Sequence, residues 1–366
     1  MLFALLTLGL ILALSVLPRL AVRTDERDPH SRSGRDIVRA YGTCPVCWQS
    51  LNRGMERRFA PDGVVAGVTV RNAWVSCGEP TSPDPTKTAR QVEAQGGRVC
   101  WFSVGEKFAA DLCSDGSHSA ILVGSQPVWR PKRWAGMVDR HRSLRAQLRS
   151  ARKRGVTVIE TRSTDGLQEC LVSWLNKHAL PPMKFLAAPT DLQNMDGRRV
   201  FVAQLCGNVV GFLVAAPIPA TRGWLVEQIA RRPVAPNGTS ELLIDLAMRS
   251  FAAEDSVEAT LGLSPLSNLG APGHGFGHGA VGSALRLMRT RGRRLYNFEG
   301  VESFKAKLRP DEWRAVFAVV PGRWTLADLG SIVQAFTGQH PVRAAPSILV
   351  SAIAKAFANQ AENQGS

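Results

Sequence analysis

Residues 199–263 read RVFVAQLCGNVVGFLVAAPIPATRGWLVEQIARRPVAPNGTSELLIDLAMRSFAAEDSVEATLGL, and this stretch decides the fold. Two apolar runs, Arg199 to Leu205 and Val209 to Ala216, meet at Cys206-Gly207-Asn208, where Gly207-Asn208 suits a tight hairpin turn. A third run, Gly223 to Ile229, enters a Pro- and Gly-containing turn from Arg231 to Gly238. A helix over Thr239 to Ala253 and a strand over Ala259 to Leu263 follow. A hairpin that continues as strand, helix, strand makes a mixed sheet with helices against it, which is an α+β arrangement.

Upstream of this stretch, Asp139 to Gly155 (DRHRSLRAQLRSARKRG) predicts one helix, with Leu144, Leu148 and Ala151 on an apolar stripe. Arg145, Arg149 and Arg152 form a basic row beside that stripe, and Gly155 is placed to end the helix. A strand (Val156 to Glu160) and a helix (Gly166 to His178) come next. Nearer the N-terminus, Val64 to Val70, Ala73 to Cys77, Val99 to Val104 and Ala120 to Gly124 read as strands, and Thr86 to Gln95 as a helix closed by Gly96-Gly97. The two halves repeat a similar order of elements. The expected organisation is therefore 36–130 as a first unit, 131–324 as a second, and 325–366 as a tail in which Ile348 to Phe357 could form a short helix.

The chain of 366 residues carries a net charge of +15. Most of that excess lies in two segments: Pro131 to Glu160 holds nine Lys/Arg against two acids, and Arg286 to Arg309 holds eight against two. Two such runs point to a polyanionic partner, either nucleic acid or acidic headgroups. Met1 to Leu17 contains no charge, and extended to Val22 it is long enough to cross a bilayer. Basic residues follow it at Arg19, Arg23 and Arg27, which predicts a single-pass anchor over 1–22, a linker over 23–35 and a cytoplasmic body. The seven cysteines are scattered, as free thiols in a reducing compartment would be, and Cys44-x-x-Cys47 lacks the second ligand pair of a zinc site.

Three local patterns carry chemistry. The turn Arg231 to Gly238 before a helix, with Asn237 or Thr239 as cap, makes a corner for phosphate or carboxylate. Glu227 stands just upstream and could hold an ammonium group or accept a proton. Lys305 and Lys307 alternate in the basic segment Phe304 to Lys307. The glycine-rich run Gly270 to Gly282 lacks the Gly-Lys-Ser/Thr ending of a nucleotide loop, and no Gly-x-Ser-x-Gly elbow supports a serine hydrolase.

Read in order, several motifs resemble the C-terminal catalytic domain of phosphatidylglycerol lysyltransferases. They are Ser143-Leu144-Arg145-x-Gln147-Leu148-x-x-Ala151-Arg152-x-x-Gly155, Gly223-Trp224-Leu225, Ala235-Pro236-Asn237-Gly238-Thr239, Leu261-Gly262-Leu263-Ser264-Pro265-Leu266-Ser267, and Leu295-Tyr296-Asn297-Phe298-Glu299-Gly300-x-x-x-Phe304-Lys305-x-Lys307. The resemblance implies two tandem acetyltransferase-like (GNAT) mixed sheets. It also implies transfer of an amino acid from aminoacyl-tRNA to an anionic membrane lipid of the phosphatidylglycerol type, which alters surface charge, with no cofactor; no stable protein partner is inferable from it.

By that resemblance Glu227, Arg231 and Lys305 are the expected catalytic set. Arg232, Asn237, Glu241, Ser264, Asn297 and Lys307 would bind substrate, and Arg145, Arg149 and Arg152 would contact tRNA or lipid phosphate. No metal is expected. A GNAT-type N-acyltransferase with another acyl donor and a non-catalytic basic lipid- or tRNA-binding protein are the alternatives.

Overall fold

The alternation of Phe201 and Ala203 with Val200 and Val202 sends successive side chains of the run Arg199–Leu205 to opposite faces of one sheet, and both faces are covered. A computed structural model describes residues 34–52, 55–71, 73–177, 185, 192, 195–269, 279–291 and 297–337. Its helices are α1 (Gly34–Tyr41), α2 (Pro85–Ala94), α3 (Glu106–Cys113), α4 (Pro131–Arg140), α5 (Arg142–Lys153), α6 (Leu167–Lys177), α7 (Thr239–Ala253), α8 (Gly279–Arg291), α9 (Phe298–Lys307) and α10 (Leu326–Thr337). The strands are β1 (Glu56–Ala60), β2 (Gly63–Val70), β3 (Ala73–Ser76), β4 (Arg98–Gly105), β5 (His118–Trp129), β6 (Thr157–Thr161), β7 (Arg199–Leu205), β8 (Asn208–Ile218), β9 (Gly223–Arg231), β10 (Glu258–Thr260), β11 (Ser264–Pro265) and β12 (Glu312–Pro321).

Eleven strands run in the order β1-β2-β3-β4-β12-β5-β10-β9-β8-β7-β6, and β11 pairs with β5. The same unit occurs twice. β1, β2 and β3 form an antiparallel meander, α2 crosses over, and β4 pairs parallel to β3. β7, β8 and β9 form a second meander, α7 crosses over, and β10 pairs parallel to β9. The expected α+β mixed sheet is the observed one. β12, late in the chain, lies between β4 and β5 and pairs antiparallel with both.

The second meander is buried on two sides, which is why its strands read as continuous apolar runs. Phe201, Ala203, Leu213, Ala215 and Val226 face a core shared with α4, α5 and α7. Val200, Val202, Phe212, Val214 and Ala230 face Leu167, Cys170 and Leu171 of α6. Around the first meander a larger core gathers Trp74, Trp101 and Phe108, whose rings meet edge to face.

The helix expected over Asp139 to Gly155 is α5, which begins only at Arg142, Asp139 and Arg140 being the end of α4. His141 is extended (φ −106°, ψ 96°) and separates α4 from α5. Trp134 and Val138 of α4, and Leu144 and Leu148 of α5, reach the same core from either side of the break. Pro131 at the start of α4 satisfies the helix at a position where its missing N–H is harmless.

Among the described residues no helix is long and apolar enough to cross a membrane. The anchor expected over 1–22, most of the linker, residues 270–278 of the glycine-rich run and the helix expected over 348–357 lie outside the described residues.

Candidate functional site

The site forms where β9 leaves its parallel neighbour. β10 pairs with β9 only through Glu258–Thr260, opposite Gly223–Leu225. The chain then turns through Gly262 and continues as β11 against Ser125 and Gly124 of β5. Among the described residues β9 has no strand partner on this edge beyond Leu225, so the sheet opens there. Gly262 has φ +68°, and a side chain on it would press on Leu225 at 3.2 Å, so glycine suits this corner on two counts.

Glu227 sits at the opening as the extra residue of a β-bulge. Val214 pairs with Gln228 and Ala215 with Val226, which leaves Glu227 unmatched. A bulge rotates the odd residue out of the regular alternation and re-aims its side chain. The carboxylate accepts a hydrogen bond from Arg198 Nε at 3.0 Å, and the two side chains are 11% and 3% exposed respectively. Arg198 also donates to Asn52 Oδ1 at 2.6 Å. Burial raises the Glu227 pKa above the ordinary carboxyl range, while Arg198 and then Gln49 pull it back. Glu227 in turn helps to push up the thiol of Cys77, whose main cause is burial.

Lys305 is bonded to the Gly262 corner itself. Its Nζ donates to the carbonyls of Gly262 and Leu263, both at 2.9 Å. It is buried and has no carboxylate partner among the described residues. Desolvation alone lowers its pKa to about 7. Ser264, the next residue after those carbonyls, is fully buried, and its hydroxyl has no hydrogen-bond partner. The α9 helix that carries Lys305 is fixed at three points. Asn297 caps its start by accepting from the Gly300 N–H at 2.9 Å, Lys307 pairs with Glu241 of α7 at 2.7 Å, and the carbonyl of Leu308 accepts from Trp129 Nε1 at 2.9 Å.

The turn between β9 and α7 is held from within. Arg231 donates to the carbonyl of Ala235 at 3.0 Å, which closes the loop. Arg232 lies on the other side of the strand, against Cys170 of α6, whose burial-raised pKa it partly offsets. Neither Asn237 nor Thr239 caps α7. The N-cap is Gly238 at φ +93°, with no side-chain cap, and Asn237 is exposed. Gly238 fits because α5 passes directly over it: a Cβ there would stand 2.3 Å from the carbonyl oxygen of Gln147.

The three row arginines have different surroundings. Arg152 pairs at 3.0 Å with Asp245, a buried acid of α7 that also binds Trp134 Nε1 at 2.9 Å and Arg249 at 3.1 Å. Arg145 reaches the carbonyl of Val138, and Arg149 is exposed. The outward stripe of α5 is instead Arg142, Arg149 and Lys153, all exposed on a helix without a single acid.

Thus Glu227 lies on β9 just beyond its parallel partner, Lys305 is bonded to the corner where β10 departs, Lys307 pairs with Glu241, and Arg231 shapes the turn after β9. Arg198, Gln49 and Asn52, which surround the Glu227 carboxylate, carry no motif. Two of them come from a segment some 180 residues upstream in the chain, and only the fold brings them to β9.

Comparison with known proteins identifies this class of mixed-sheet domain. Residues 37–320 match the family model described as phosphatidylglycerol lysyltransferase, C-terminal, and the chain belongs to that family. The C-terminal domain of a putative lysylphosphatidylglycerol synthetase from Agrobacterium fabrum superposes with a TM-score of 0.68 at 18% identity, covering 83% of this chain and 96% of that one. L-PGS from Bacillus licheniformis gives 0.65 at 15% identity, covering 85% and 98%. An uncharacterized protein of Corynebacterium glutamicum is 22% identical over 320 residues, 80% of this chain. The chain spans 39% of the length of that curated relative.

Proposed function

We propose that this chain is an aminoacyl-tRNA-dependent transferase that moves an amino acid onto a hydroxyl of a phosphatidylglycerol-like headgroup. The family membership supports the reaction class, and the setting of Lys305 carries the reading. A neutral lysine amine has two N–H donors and one lone pair. With both donors given to Gly262 and Leu263, the lone pair is the unused part of the group. A lysine with a pKa near 7 is half neutral at neutral pH, which suits a general base.

The aminoacyl ester is already activated, so the enzyme needs chiefly to position its reactants and carry one proton. The headgroup oxygen attacks the aminoacyl carbonyl, and its proton passes to Lys305 Nζ. As the bond from the carbonyl carbon to the ribose oxygen breaks, Lys305 returns the proton to that oxygen. Glu227 holds the ammonium of the aminoacyl group. The exposed basic stripe of α5, beside the turn that borders the opening, receives tRNA phosphates. Met1 to Val22, uncharged before Arg19, anchors the chain with its body on the cytoplasmic side.

The test is transfer of label from total charged tRNA into the lipid extract of phosphatidylglycerol vesicles, with mass analysis of the product. The expected result is an aminoacylated lipid that ribonuclease abolishes. Transfer insensitive to ribonuclease would assign another acyl donor, and vesicle or tRNA binding without product would assign a non-catalytic binding protein.

A further inference from the structure

Asp245 of α7 is 1% exposed and takes three donors: Trp134 Nε1 at 2.9 Å and Arg249 Nε at 3.1 Å on one oxygen, and Arg152 Nη2 at 3.0 Å on the other. One carboxylate therefore holds two guanidiniums, from α5 and from α7, and the group keeps an excess of one positive charge. One cation is enough to neutralise a buried acid, so the second is surplus to the fold. Both arginine side chains meet water, Arg152 at 57% and Arg249 at 47% exposed. Arg249 spends only its Nε and Arg152 only one N–H of Nη2, and the other side-chain N–H groups of both have no partner among the described residues.

Planar guanidinium forks match the oxygens of a phosphate, and forks already held by a carboxylate lose less freedom when they bind one. The surface around the pair has the same sign. Arg149 and Lys153 of α5 are exposed beside Arg152, α5 has no acid, and Glu254 and Asp255 beyond α7 are engaged by Arg199 and Lys132. A bilayer surface would be met by apolar side chains as well as basic ones. None of the exposed large hydrophobic side chains among the described residues lies on α4, α5 or α7, so this surface suits the backbone of a nucleic acid. Its place along α7 fits as well: Asp245 stands about 6 Å of helix axis from Glu241, whose partner Lys307 shares α9 with Lys305.

We propose that Arg152 and Arg249, set by Asp245, form a binding site for one backbone phosphodiester of the donor tRNA. Asp245 is the positioning residue, and Arg249, which no motif marks, is the contact that α7 adds to the basic stripe of α5. This inference rests on the transferase reading for the identity of the RNA.

The test uses the full chain, deacylated total tRNA as the probe, and binding titrations between about 0.05 and 0.2 M salt. Arg152→Gln and Arg249→Gln are each expected to weaken binding about threefold or more, and the double variant to lower the salt dependence of log K by about 1 in slope, the mark of one phosphate contact. Arg323→Gln, the same change of charge on an exposed residue after β12, is the reference and should bind as wild type does. If loss of its cations from Asp245 unfolds the Gln variants, Arg152→Lys with Arg249→Lys keeps both charges without the forks, and weakening of about threefold is expected. Gln variants that bind no more weakly than Arg323→Gln, weakening at an unchanged salt slope, or the Lys pair binding as wild type overturns the site. So does a double variant that loses affinity for phosphatidylglycerol vesicles and keeps it for tRNA, which would assign this surface to the membrane. Transfer by the wild type with unaltered tRNA binding in the double variant overturns the site alone. Binding of tRNA that depends on both arginines in a protein that transfers nothing supports the site and overturns the transferase reading.

Discussion

Replacing Lys305 by Met should make the protein more stable at neutral pH and inactive. In the fold this lysine titrates at about 7, against 10.5 when solvated, because burial penalises its charged form. Between those two values the unfolded chain holds a proton that the folded chain lacks, so stability rises with pH at about 1.4 kcal/mol per unit. Below pH 7 both states are protonated, and the full penalty of about 5 kcal/mol is present. Met fills a similar volume without charge but leaves the carbonyls of Gly262 and Leu263 without their donor, which takes back about 1–3 kcal/mol. Lys305→Met is then expected to be about 2–4 kcal/mol more stable than wild type at pH 6.5, and less stable above pH 10. Urea unfolding of both proteins at pH 6.5 and 9.5, extrapolated linearly, isolates Lys305, since every other titrating group cancels in the difference. The gap should shift by about 3 kcal/mol between the two conditions. A gap that stays constant within about 0.5 kcal/mol would refute the desolvated lysine, and with it the proton-carrying role. In the wild type, kcat/KM for transfer should rise with pH through a midpoint near 7 and level off above it.

Arg198→Met leaves the Glu227 carboxylate buried without its cation and should destabilise the fold by about 3–5 kcal/mol in thermal unfolding, with recovery when Glu227→Leu is added. Gly238→Ala must hold φ +93° and push its methyl against the Gln147 carbonyl, so a loss of about 2 kcal/mol or more is expected by urea titration. Charge reversal of Arg142, Arg149 and Lys153 to Glu should leave the melting temperature nearly unchanged. It should weaken tRNA binding and lower the salt dependence of log K by about 2 or 3 in slope.

The α+β class was legible because the second meander announces itself: a hairpin turn at Gly207, three apolar runs, then a helix whose bounds, Thr239–Ala253, are those observed; the turn expected at Gly207-Asn208 lies one residue earlier, at Cys206-Gly207, with Asn208 already paired to Leu205 in β8. β1 and α3 were not, because Glu56–Ala60 carries two arginines and no alternation, and Glu106–Cys113 is too short to show a period. For β12, ten residues long, nothing local reveals that its partners lie at β4 and β5. The break at His141 has no glycine or proline to mark it. Of the site, Glu227 and Lys305 could be read because motifs bracket them. The bulge that aims one and the burial that lowers the pKa of the other are properties of the assembled sheet.

The place of β12 also governs how the molecule is made. While the chain is being synthesised, β4 and β5 have unpaired edges that await Glu312–Pro321, and nearly two hundred residues separate the end of β5 from the end of β12. At ordinary elongation rates that interval is on the order of ten seconds or more. The first repeat cannot be finished until the second has been translated, and a chain cut short before residue 312 would leave two adhesive sheet edges exposed. The ribosome must therefore deliver both repeats before the first is complete, and premature termination should yield aggregates instead of a free-standing N-terminal domain.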